Sequence, residues 1–278
     1  MTIRLYSHVN ADGDLLEAWF RHYRRLGVGS FHVIVHGPRE ENARLYEVLS
    51  RHPIVIEEHY EGEFSVQEKQ RRVNRLLKRD AGRWMLFADS DEFLELPYRG
   101  LTATIGVLRL AGARALYAPM LQHLTADGSV QTPEIVDDPF ALQPRCSVDL
   151  YQRMGSNASI NKYPLFYGDG GTQLTDGGNH NPPSGCDRLA SGIRGVMHHF
   201  KFRSCVVHRL SRRIDSAHSF RQESIGFRGY LERHDWHVPT DGSFDYSRAE
   251  LFRRGLLRRP GPGSLWRRAK QLVRGGRP

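Results

Sequence analysis

Asp89 and Asp91 stand two residues apart in the stretch RWMLFADSDEFLEL (83 to 96), with Glu92 and Glu95 close behind them. The apolar run Trp84, Met85, Leu86 and Phe87 reads as a central strand covered on both faces, so Asp89 falls where that strand meets solvent. Carboxylates gathered at one strand end repel one another unless something positive sits between them. Mg²⁺ and Mn²⁺ prefer oxygen ligands, and Mg²⁺ commonly takes one or two carboxylates together with substrate phosphates. A D-x-D pair has the spacing to approach one such ion, which would bridge to a diphosphate. The same triplet also occurs as a helix cap or a turn with solvated acids. Placement after a buried strand is the context that favours the metal reading.

The elements that must position this pair alternate along the first hundred residues. Strand signals at 3 to 9, 30 to 36, 53 to 59 and 84 to 93 are separated by helical ones at 12 to 27, 39 to 52 and 64 to 80. In the first helix Leu15, Leu16, Trp19, Phe20, Tyr23 and Leu26 recur at helical spacing, with Asp12 as N-cap and Gly27 as stop. The third carries Val66, Val73, Leu76 and Leu77 on one side and six basic residues, Lys69 among them, around the rest. This order predicts an α/β fold, a mostly parallel sheet with helices on both faces. Ligands of such sheets bind at the carboxyl ends of the strands, where Asp89 and Asp91 lie. Further on, 101 to 112 reads as a helix and 113 to 121 as a strand. Residues 122 to 195, rich in Gly, Pro, Asn and Asp, read as a functional loop or lid with weak strands at best. GVMHHFKFRS (195 to 204) resumes strand-like alternation, and 216 to 236 reads as a helix or helical pair.

With 278 residues the chain can bury a real core. No run of eighteen apolar residues exists, and the first ten residues lack the apolar segment of a signal peptide. Cys146, Cys186 and Cys205 are far apart and without C-x-x-C spacing, which argues against a disulfide framework or a thiolate zinc site and points to a reducing cytoplasm. The net charge of +9 comes from 40 Lys plus Arg against 31 Asp plus Glu. Residues 251 to 278 hold nine basic side chains and no acidic one, so the other 250 balance. A basic tail beginning near residue 245, with Leu256, Leu257, Leu265, Trp266 and Leu272 among its arginines, reads either as a segment lying on an anionic membrane surface or as a solvated terminus. The neutral body has no basic stripe with aromatic interleaving, so no nucleic acid is expected as partner, and only the tail offers a phosphate-binding alternative.

Three motifs in order resemble the family 2-like glycosyltransferases, which are related to family 92. VNADGDLLEAWFRHYRRLGVGSFHVIV is similar to their opening turn and helix, with Asn10, Glu17, Trp19, His22, Leu26, Gly27 and Val28 matching. LFADSDEFL resembles their DxDEF signature and HHFKFRS their later histidine element, so the likeness spans roughly residues 3 to 213. It implies a GT-A fold, a nucleotide-diphosphate sugar as donor, and Mn²⁺ or Mg²⁺ held by Asp89, Asp91 and His199. His198 is adjacent, and in a strand the two point to opposite faces, so only one reaches the site. Asn10, Asp12, Gln67, Gln70, Asn74, Lys162 and Arg203 are the donor contacts so implied. Gln67, Gln70 and Asn74 share one helix face.

Inverting transfer needs a carboxylate base, for which Asp176 and Glu134 are the candidates. Lys201, Arg203, Arg209, Arg212 and Arg213 form either a cluster that neutralises a leaving diphosphate or a surface stripe. The chain departs from the pattern at Ala11-Asp12, and at HGPREEN, where Glu40 and Glu41 stand in for an acidic loop near the nucleoside. The implied protein is a metal-dependent glycosyltransferase acting on a glycan or lipid-linked acceptor in bacterial surface polysaccharide synthesis. It would be cytoplasmic and peripheral on the inner membrane face. Its domain would run over 1 to 245, a donor half to about 120 and an acceptor half beyond, with 246 to 278 as basic tail. The alternative enzyme is a DxD phosphohydrolase, whose first Asp attacks phosphorus. Such enzymes generally open on that strand, whereas here three strands precede it and Glu-Phe-Leu follows.

Overall fold

The computed structural model describes residues 2 to 10, 13 to 133, 136 to 190, 192 to 216 and 218 to 261. In chain order the elements are β1 (Ile3–Val9), α1 (Leu16–Leu26), β2 (Val28–His36), α2 (Ala43–Ser50), β3 (Ile54–Tyr60), α3 (Val66–Arg79), β4 (Arg83–Phe87), β5 (Glu92–Glu95), α4 (Gly100–Leu110) and β6 (Ala115–Leu124). They continue with α5 (Pro139–Leu142), β7 (Arg145–Ser147), α6 (Leu150–Arg153), β8 (Asn161–Gly168), β9 (Val196–His199), α7 (Cys205–Asp215), α8 (Arg221–Arg233), β10 (Phe244–Asp245) and α9 (Arg248–Arg253).

The expected alternation over the first hundred residues is present. Strands β3, β2, β1 and β4 pair in that order, all parallel. Alternation along β4 sends Trp84 and Leu86 to one face and Met85 and Phe87 to the other. The first pair joins a core with Leu16, Trp19, Leu45 and Leu101 of α1, α2 and α4; the second joins Val73, Leu76 and Leu77 of α3. Helix α1 ends at Gly27, whose φ of 100° is the left-handed conformation that a glycine adopts without a Cβ penalty. Helix α3 starts at Ser65, whose hydroxyl accepts from the Glu68 amide. The proposed cap Asp12 lies outside the described residues.

Two expectations are corrected. The stretch 122 to 195 is not all loop: β8 inserts antiparallel between β4 and β6 at the centre of the sheet, giving the order β10-β7-β6-β8-β4-β1-β2-β3. Its sequence NKYPLFYG hides a strand because a lysine and a proline occupy buried positions. Nor does the folded body stop near 245. Phe244 pairs with Cys146, and Leu251 and Leu257 are buried against Leu121 and Val196. The first leucines of the basic segment are thus core residues, which removes them from any membrane face. Leu265, Trp266 and Leu272 lie outside the described residues, among which no helix is long and apolar enough to cross a membrane.

The end of α3 is tied to β1 through Asp80. Its carboxylate accepts from Tyr6 Oη at 2.5 Å and Arg79 Nη2 at 3.0 Å, and pairs with Arg4. Burial alone would push this carboxyl up, but the bonds from Tyr6, Arg79 and Arg4 outweigh it and hold it at about 2. The folded value lies below the unfolded one. The stabilisation is therefore complete above the ordinary carboxylate range and lost as pH falls through about 2. Asp80→Asn is expected to cost about 2 kcal/mol in urea unfolding at pH 7, with the gap to wild type closing in acid. An unchanged midpoint would show the network idle.

Candidate active site

β4 ends at Phe87, and a tight turn follows in which the Glu92 amide donates to Asp89 O at 3.1 Å and the Asp89 amide to Glu92 Oε2 at 3.3 Å. Helix α1 braces this turn from behind. Trp19 Nε1 donates to Asp89 O at 3.0 Å, Tyr23 Oη to Glu92 O at 3.0 Å, and His22 Nε2 to Leu94 O at 2.8 Å, while the Leu94 amide donates to Tyr23 Oη at 3.1 Å. The later motif closes on the same place, with the Phe200 amide donating to Asp91 O at 2.9 Å. The three stretches that carry the family resemblance are thus one hydrogen-bonded unit.

The charge conflict posed by the acids is resolved by cations from four elements. Lys69 of α3 reaches Asp89 Oδ1 at 2.7 Å, and Lys162 of β8 reaches Glu92 Oε1 at 2.5 Å. Asp91 Oδ2 is 3.4 Å from His199 Nε2 of β9 and 3.2 Å from Arg209 Nη1 of α7. Asp91 and Glu92 are only 7% and 3% exposed. Burial raises both carboxyls, but the interactions with His199 and Arg209 hold Asp91 well below the carboxylate range. Glu92 is left raised, because Asp89 and Asp91 add to its burial against the pull of Lys162.

Above the turn lies a cavity of about 800 Å³ at the carboxyl ends of β1, β2 and β4. Its floor holds Asp89, Asp91, Glu92 and His199, and one wall holds Lys201, Arg209, Arg212 and Arg213. Burial pushes the Lys201 amine down to about 8. The far end is lined by His8, Asn10, His36, Phe64 and His218. Phe64 and His218 stack with ring centroids 4.5 Å apart, and burial pushes the His8, His36 and His218 imidazoles down, toward their neutral forms. Asn10 donates from Nδ2 to His36 Nδ1 at 3.1 Å, while its Oδ1 is buried with no hydrogen-bond partner among the described residues.

The sequence-derived candidates separate on these coordinates. Asn10, Asp89, Asp91, Lys162, Asp176 and His199 line the cavity; Gln67, Gln70, Asn74 and Arg203 do not. Gln67 is exposed. Gln70 Nε2 and Asn74 Nδ2 instead donate to Leu174 O at 2.6 and 3.2 Å, pinning the loop after β8. Arg203 is buried behind the wall, where Nε donates to Asp14 Oδ2 at 2.6 Å. Asp176 is present but saturated: Oδ1 accepts from the amides of Gly178 and His180, and Oδ2 from the amide and side chain of Asn181. A carboxylate has about four lone-pair sites, so this one has none left for an acceptor proton. Asp12 and Glu134 lie outside the described residues.

Sequence reasoning missed the neutral, aromatic end of the cavity. Its one signal was that His8 and His36 each fall at the end of a predicted strand. His199 faces the cavity, and His198 faces the opposite side, where Nε2 lies 3.0 Å from Glu95 Oε2.

For a hard cation the fit is partial. His199 Nδ1 lies 2.9 Å from Gln122 Oε1 and 3.1 Å from Tyr151 Oη, leaving Nε2 toward Asp91, the arrangement of a ligating imidazole held by outer partners. Asp89 shares the cavity but is drawn to Lys69. The expected trio does not converge: among the described residues, the metal-competent group with ligand atoms within 4.8 Å of one another is His123, Cys146 and His198.

No protein-family model matches the chain, and no curated protein matches it. Among solved structures it is similar to S. aureus TarS 1-349 in complex with UDP-GlcNAc, at 11% identity, covering 87% of this chain and 75% of that one with a TM-score of 0.37. It is also similar to 4-diphosphocytidyl-2C-methyl-D-erythritol synthase, at 17% identity over 61% and 76% of the two chains with a TM-score of 0.32. At scores this low the likenesses carry no argument for what this chain binds.

Lys162 is the test of the charge balance. Lys162→Met leaves Glu92 buried without its partner, and about 3 kcal/mol should be lost from chemical unfolding. Adding Glu92→Gln should restore most of it. A double variant as unstable as the sum of the two singles would contradict the pairing.

Proposed function

We infer that the chain is a nucleotide-sugar-dependent glycosyltransferase of GT-A type. The observation that carries this reading is the cavity itself, where an acidic turn at a central strand end faces the cationic helix α7, next to a neutral aromatic end with an orphaned acceptor at Asn10. Each part matches one part of a nucleotide-diphosphate sugar. The nucleoside fits the end formed by His8, Asn10, His36, Phe64 and His218, where a ring can stack and a hydroxyl or amine can donate to Asn10 Oδ1. The diphosphate fits between the turn and Lys201, Arg209, Arg212 and Arg213, whose charge offsets what builds on the leaving group.

Asp91 and His199, with Asp89 across the cavity, are the residues that would hold Mn²⁺ or Mg²⁺. Such an ion supplies Lewis-acid neutralisation of the diphosphate. The resemblance to family 2-like glycosyltransferases supports the same reading. From it come the finer proposals of a glycan or lipid-linked acceptor, inversion at the sugar, and a role in surface polysaccharide synthesis at the inner membrane face. With Asp176 saturated, no described residue is assigned as the base.

A ligand that binds only the folded chain raises its unfolding temperature, by about 2.7 kcal/mol of stability at a hundredfold excess over Kd. A thermal-shift screen of nucleotide sugars, each with and without Mn²⁺, is expected to find at least one stabilising donor. Asp91→Asn and Arg209→Met should abolish that shift while a cooperative ligand-free transition, lowered by the lost pairing, remains. Failure of every nucleotide sugar under both conditions, or a phosphoaspartate trapped at Asp89, would overturn the reading.

A further inference from the structure

Beneath the cavity, on the opposite face of β9, three fully buried side chains converge: His123 of β6, Cys146 of β7 and His198 of β9. His123 and Cys146 sit directly across from one another, and His198 lies beside the neighbouring Leu121. The protons of this cluster can be assigned from its outer partners. His123 Nδ1 is 2.7 Å from Gln143 O, and a carbonyl only accepts, so Nδ1 carries hydrogen. His198 Nε2 is 3.0 Å from Glu95 Oε2, a carboxylate paired with Arg248, so Nε2 carries hydrogen as well.

The two remaining nitrogens, His123 Nε2 and His198 Nδ1, face each other at 2.8 Å, with Cys146 Sγ 3.3 Å from the former. In neutral rings both are lone pairs, and lone pairs at that distance require a cation between them. A shared proton would satisfy the nitrogens and leave the Cys146 thiol donating to His123 Nε2, whereas a metal ion takes all three donors at once. One thiolate and two imidazoles make up the soft and borderline donor set that zinc selects. Outer N–H groups bonded to a carboxylate and a backbone carbonyl are the supports that ligating histidines have.

The geometry points to a buried zinc centre held by His123, Cys146 and His198. The cysteine spacing had argued against thiolate zinc, because two of the three ligands are histidines brought in by strand pairing rather than by a local motif. The centre ties β6, β7 and β9 together and so fixes the strand whose other face presents His199. The proposal stands whether or not the cavity takes a nucleotide sugar.

The test is direct metal analysis of full-length protein expressed with zinc and purified without chelator. About one zinc per chain is expected. Protein produced in cobalt-supplemented minimal medium should show a thiolate-to-cobalt charge-transfer band, retained in Cys186→Ser and Cys205→Ser and lost in Cys146→Ser. An ion at Asp91 and His199 has no sulfur ligand and gives no such band. Wild-type protein with neither zinc nor the cobalt band would overturn the proposal, as would a band that survives Cys146→Ser. If Cys146→Ser fails to fold, the wild-type metal content and spectrum decide alone.

Discussion

Burying several carboxylates at the end of one strand is the constraint on which this structure turns. An unpaired charge removed from water costs several kcal/mol, so each acid in the turn after β4 must meet a cation or a donor. The chain meets this demand from every side: Lys69 from α3, Lys162 from β8, His199 from β9 and Arg209 from α7. Trp19, His22 and Tyr23 of α1 hold the backbone of the turn and its following strand. Elements distant in sequence are thereby locked to one point.

That arrangement leaves a site of mixed sign. The acids are paired yet line an open cavity, and Lys201, Arg212 and Arg213 stand along the same wall. A ligand with an anionic middle and a flat, polar end matches both regions at once. Metal-only and phosphate-only readings each account for one wall. The buried cluster under β9 belongs to a separate layer: His198 and His199 are consecutive, and strand alternation gives one to the core and the other to the cavity.

The first half of the chain was legible in the sequence because it obeys local rules. Helix α1 has an uninterrupted apolar stripe and a glycine stop, and β4 is continuously apolar, so the parallel strands and the position of the acid pair could be read directly. The other half was obscured where the site itself breaks those rules. β8 carries Lys162 at a buried position because Glu92 needs it, which erases the apolar alternation of a central strand. Helix α7 buries only Val206 and Leu210, so its arginines dominated the reading. Asp176 was legible as an acidic residue in a glycine-rich turn, but not as a carboxylate consumed by that turn. Leu256 and Leu257 read as part of an amphipathic tail because nothing local shows that β10 and α9 return the chain to the core.

The most direct measurement is a crystal structure with a stabilising nucleotide-diphosphate sugar and Mn²⁺. The account predicts the nucleoside between Phe64 and His36 with a donor on Asn10 Oδ1, and the diphosphate between Asp91 and Arg209. Nucleotide density elsewhere on the molecule, with this cavity empty, would contradict it.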